Sequence, residues 1–156
     1  MATNGKRAPG RRMSLYAIDV DAEEHGTWEA LAAPLDWAEF RLRSHLCDDV
    51  QDWMADEGAR VQKAKRNVDL TGREQATLFR RAIGEKVIAG WRGLLDDDGK
   101  AIEFSRELAR EIMADRKWRH FANAIVDVVL AKARLEVEEK DEAGKASALS
   151  SDTASS

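Results

Sequence analysis

The sequence predicts an α+β fold: a small N-terminal antiparallel β-sheet followed by a helical bundle with one inserted β-hairpin. Three observations carry this. Apolar residues alternate with period two in short runs before residue 44. From Leu46 the apolar spacing turns helical. An Asp-Gly turn then interrupts the helices between Trp91 and Phe104.

The first run is Tyr16-Ala17-Ile18-Asp19-Val20-Asp21, whose apolar residues fall on one face of a strand. A polar loop with Gly26 leads to a second run, Thr27 to Leu31, closed by Pro34. The third, Glu39 to Arg43, directs Phe40 and Leu42 inward. Together they predict a three-stranded sheet.

Helical spacing starts with Leu46, Val50, Trp53, Met54 and Val61, and Gly58 is expected to weaken or split that helix. Thr71 with Glu74 three residues later predicts a capping box. The helix it opens carries Leu78, Phe79, Ile83, Val87 and Ile88 and is expected to stop at Gly90. Two apolar pieces, Trp91 to Leu95 and Ala101 to Phe104, flank Asp96-Asp97-Asp98-Gly99-Lys100 and predict the hairpin. Ser105 predicts an N-cap for a short helix reaching about Ala114. Asp115 is expected to cap the last helix, where Trp118, Phe121, Ile125, Val128 and Val129 share one face.

Composition sets the boundaries. Residues 1–13 are rich in Gly, Pro and Arg and read as a disordered basic arm. Residues 14–140 read as one α+β domain, and 141–156 as a disordered tail of small and charged residues. The net charge is −4, with +4 on residues 1–12 and −4 on residues 136–156. The acidic body argues against a nucleic-acid binder, which needs a dense cationic face. No apolar h-region follows the basic start and no run is long enough to cross a bilayer, so the cytoplasm is the expected location. The single cysteine, Cys47, excludes an intrachain disulfide and reads as a core filler.

No catalytic, cofactor or metal residue is nominated. His25, His45 and His120 stand outside metal-ligand spacings. An EF-hand with Gly99 at position six would need carboxylates at Leu94 and Ser105, so the Asp run is a solvated turn. The chain lacks Gly-rich phosphate loops and a nucleophile elbow. The reading is therefore of a non-enzyme. Five tryptophans, Trp28, Trp37, Trp53, Trp91 and Trp118, are core fillers in the main, with Trp91 and Trp118 the first suspects as interface anchors. Trp91, Leu94, Leu95, Phe104, Trp118 and Phe121 are the partner-binding candidates, as either a core seam or a partner groove.

The segment Gly90-Trp91-Arg92-Gly93-Leu94-Leu95-Asp96-Asp97-Asp98-Gly99-Lys100-Ala101-Ile102-Glu103-Phe104-Ser105-Arg106-Glu107 resembles the tail assembly chaperones of long-tailed bacteriophages. Those proteins carry a helix ending in Gly-Trp, an acidic Asp-Gly turn, an apolar piece ending in an aromatic, and a Ser or Thr that opens a helix. The likeness is detailed over residues 79–121 and covers 14–135 in layout. Similar proteins often have Pro before the aromatic, where this chain has Glu103. The resemblance implies a non-catalytic factor of the host cytoplasm, absent from the mature virion. It would bind the tape measure protein and help the major tail (tube) protein polymerise around it. Self-association stays open. A minor structural phage protein, such as a head–tail connector or tail component, is the alternative. A DNA-binding regulator, suggested by Arg80, Arg81 and Lys86, ranks behind it.

Overall fold

The computed structural model describes residue 10 and residues 12–154. Most of the expected basic arm, residues 1–9 and 11, lies outside the described residues. The chain divides into two compact units, Val20–Ala133 and the paired terminal stretches Met1–Asp19 with Arg134–Ser156.

The larger unit is α+β. In chain order it contains α1 (Val20–His25), β1 (Thr27–Ala30), β2 (Glu39–Leu42), α2 (Asp48–Ala64), α3 (Gly72–Ala82), β3 (Ile88–Arg92) and α4 (Arg106–Ala114). The last helix, α5 (Arg119–Ala154), starts in this unit. The terminal unit holds a 3₁₀ turn at Met13–Tyr16 and the remainder of α5, so helical backbone occupies residues 141–154, the stretch read as a tail.

The sheet is antiparallel in the order β1-β2-β3. Strands β1 and β2 match the second and third predicted runs, but the first run is not a strand. Ile18 and Val20 are each 61% exposed, so their alternation has no buried face to serve. Val20 instead opens α1, whose first turn carries Asp21 and Glu23 at the positive end of the helix dipole.

The third strand begins in the end of the segment read as helix, Ile88 to Gly90, and continues into Trp91 and Arg92, read as part of the hairpin's first apolar piece. Helix α3 stops at Ala82, and a π-helical turn, Ile83–Val87, redirects the chain into β3. Leu42 pairs with Ile88 and Phe40 with Trp91, while the register shift beside Arg41 leaves Ala89 as an extra residue. The π turn lies close against α4. A Cβ on Gly84 would sit 3.2 Å from the Ala109 carbonyl oxygen, so a side chain there would make the α4 backbone give way slightly.

The local helix signals hold. Thr71 Oγ1 accepts from the Glu74 N–H at 3.2 Å, and the Glu74 carboxylate accepts from the Thr71 N–H at 3.1 Å. Ser105 Oγ accepts from the Leu108 N–H at 3.1 Å. Asp115 caps the short 3₁₀ turn Arg116–Trp118 that precedes α5. Helix α2 runs unbroken through Gly58, where a Cβ would crowd the Leu78 side chain at 3.3 Å.

The core lies on the sheet face that carries Phe40, Leu42, Ile88 and Trp91. Val50 of α2, Ala82 of α3, Ile112 of α4 and Ile125 and Val129 of α5 close over it. Cys47 is buried there too. Burial of these aliphatic and aromatic side chains contributes about 1.5–3 kcal/mol each and is the main term holding sheet and helices together.

Candidate partner-binding site

The six residues singled out in the sequence separate into three environments. Trp91 is 7% exposed and Leu94 is buried, so both belong to the core. The indole Nε1 of Trp91 donates to the Ile102 carbonyl oxygen at 2.8 Å. Its ring packs edge-on against Phe104, with centroids 4.9 Å apart, and against Phe40 at 6.1 Å. Phe104 is half-buried beneath the Arg106 guanidinium, 5.1 Å from the ring centre.

Leu95 stands apart. It is 60% exposed at the base of the hairpin. That hairpin is held by the bridge Leu95 with Ala101, by backbone bonds from the Asp96 N–H to the Lys100 carbonyl at 2.8 Å and from the Ile102 N–H to the Leu94 carbonyl at 2.9 Å, and by the Asp96 carboxylate, which accepts from the Asp98 and Lys100 N–H groups at 2.9 Å. The acids thus organise a turn by satisfying backbone donors. Among the described residues, no three His, Cys, Asp or Glu side chains are grouped so as to hold a metal ion. No helix among them is long and apolar enough to cross a membrane.

Trp118 and Phe121 form the third environment, together with a residue sequence reasoning did not single out as an anchor, Trp37. The Phe121 ring contacts both tryptophans, 5.8 Å from Trp37 and 6.3 Å from Trp118, edge-to-face with each. Trp118 and Phe121 are half-buried and rest on the core. Trp37, on the β1–β2 loop, is 54% exposed. Gly93 admits this arrangement. Its φ is +90° and a Cβ would lie 2.5 Å from the Trp37 carbonyl oxygen. The Trp118 Nε1 is shielded from solvent without a hydrogen-bond partner among the described residues. Such a shielded, unsatisfied donor destabilises the free protein.

The charge around this row is local. Residues 116–120 read Arg-Lys-Trp-Arg-His, three cations without an acid. Lys117 reaches Glu111 at 3.3 Å and Asp115 at 3.9 Å, with its ammonium 5.5 Å from the Trp118 ring centre. Arg116 and Arg119 are exposed and have no ion-pair partner among the described residues. Several other cations are held in ion pairs. Arg43 grips Asp49 with two bonds of 2.8 and 2.9 Å and also donates to the Glu23 carbonyl oxygen. Glu57 receives Arg60 and Arg81, which hold its carboxyl down at about 2.

A family model described as YdaY prophage protein matches residues 45–149, more than half of the chain. The chain belongs to the YdaY prophage protein family. No curated protein and no solved structure matches it. In this YdaY family member the matched stretch runs from just before α2 into α5. It therefore includes Trp91, Phe104, Trp118 and Phe121, while Trp37 comes from the sheet portion before it.

Proposed function

We propose that this YdaY family protein is a tail assembly chaperone of a long-tailed prophage. It works without catalysis in the host cytoplasm, binds the tape measure protein, promotes polymerisation of the major tail protein around it, and stays out of the finished virion. The observation that carries this reading is the aromatic row Trp37–Phe121–Trp118, open at Trp37 and seated on the core at its other members. A long helical tape measure exposes apolar stripes until the tube encloses it, and exposed apolar surface aggregates. Rigid aromatic rings on a charged body offer those stripes a temporary cover at low entropic cost. The prophage family and the resemblance of the Gly90–Glu107 segment to such chaperones point the same way.

Co-expression with a tape measure protein of the same prophage, followed by pull-down, tests the proposal. A complex and a rise in soluble tape measure protein are expected, and Trp37→Ala should weaken both. Failure to form a complex, with no gain in solubility, would overturn the reading. Recovery of the protein from purified virions by mass spectrometry would overturn it in favour of a minor structural component, a head–tail connector or tail protein.

A further inference from the structure

We propose that the aromatic row receives an acidic amphipathic helix, with the partner's carboxylates lying at the Trp118 end; this rests on the chaperone reading and specifies its partner segment. Two features select that occupant. The first is spacing. The Trp37 and Trp118 rings stand 5.8 and 6.3 Å from the Phe121 ring, close to the rise of about 5.4 Å per turn of an α-helix. Apolar side chains on successive turns of a docked helix therefore meet successive rings.

The second feature is charge. Arg116 and Arg119 flank Trp118, both exposed and without an ion-pair partner among the described residues. Lys117 is shared with Glu111 and Asp115. At the opposite end, Asp36 adjoins Trp37. The cations thus gather at the Trp118 end of the row. On a protein of net charge −4, these exposed cations offer an acidic partner attraction beside the rings. Charge then fixes both where the helix binds and which way it points.

The test uses the full chain and two synthetic helical peptides with the same leucine stripe, one with a glutamate-rich flank and one with lysines in its place. Binding is read from tryptophan fluorescence at low and high salt. The acidic peptide should bind, the basic one should bind about tenfold more weakly, and the difference should shrink as salt screens the contact. The double variant R116E/R119E, confined to exposed side chains, should abolish the preference while R73E, on α3, leaves it intact. Equal binding of both peptides, or no effect of R116E/R119E, would overturn the inference. So would preferential binding of a DNA duplex, or a wild-type dimer that R116E/R119E dissolves, since either would give the face another occupant. The tape measure pull-down separates the two readings. Capture that is lost in Trp37→Ala but unchanged in R116E/R119E keeps the chaperone and removes the acidic helix. Peptide selectivity without tape measure capture does the reverse.

Discussion

The Trp91 indole and the Ile102 carbonyl, joined by a 2.8 Å hydrogen bond, tie the last strand of the sheet to the far side of the acidic turn. The bond spans eleven residues and closes the hairpin from its buried side. It adds a fixed point in the core to the hairpin's own pairing, the Leu95–Ala101 bridge and the backbone bonds from Asp96 N–H to Lys100 and from Ile102 N–H to Leu94.

Trp91 is therefore structural. Trp91→Ala should cost about 3–5 kcal/mol, as expected for a large buried aromatic. Trp91→Phe keeps most of the packing but strands the Ile102 carbonyl, for about 1–3 kcal/mol. Urea unfolding curves of both variants check this, and a Trp91→Ala protein as stable as the parent would contradict the core assignment.

Gly93 links the sheet to the aromatic row. Gly93→Ala places a methyl against the Trp37 carbonyl oxygen and imposes a side chain on a left-handed backbone conformation. A loss of about 1–3 kcal/mol is expected, with a changed Trp37 environment. Fluorescence compared between Gly93→Ala and the same change in a Trp37→Phe background isolates the Trp37 signal.

Arg106 clamps the π turn. Its Nη1 donates to the carbonyl oxygens of Gly84 at 2.8 Å and Ile88 at 2.6 Å, and its burial lowers its pKa. Arg106→Met removes both bonds and should cost about 1.5–3 kcal/mol, the range for hydrogen bonds to a charged group. Amide exchange should rise at residues 83–88 before it rises in α2. Uniform exchange across both segments would argue against a local clamp.

Acid should loosen the α2–α3 contact. Hydrogen bonds from Arg60 and then Arg81 hold the Glu57 carboxyl at about 2, below its ordinary 4.5. Glu74 is also near 2, held by Lys65 and by the Thr71 cap. A carboxyl depressed on folding contributes stability above its unfolded pKa and loses it as pH falls through the folded value. The contribution is thus full above about pH 4.5 and fades toward pH 2. Glu57→Gln should flatten the stability profile in that window and leave its shape at neutral pH unchanged. Because these pairs are partly open to solvent, added salt should shrink the effect.

Local signals were legible in the sequence because local atoms decide them. The Thr71–Glu74 box, the Ser105 cap, the Asp96–Gly99 turn and the inward Phe40 and Leu42 each depend on neighbours a few residues away. The errors fell where a distant partner decides. Residues 16–21 alternate well but have no strand beside them, while Ile88–Gly90 reads as a helix end until β2 offers an open edge. Trp37 looked like one tryptophan among five, and no spacing in the sequence brings it to Phe121 across the fold.

The sequence by itself thus determined the fold class, the caps, the turn and the aromatic inventory, since propensity, period and capping chemistry act over a few residues. Only the tertiary structure decided which strand completes the sheet, that Trp91 is core, and that Trp37 joins Trp118 and Phe121 beside unpaired arginines. Those outcomes depend on contacts between residues far apart in the chain, where burial and close approach outweigh local preference.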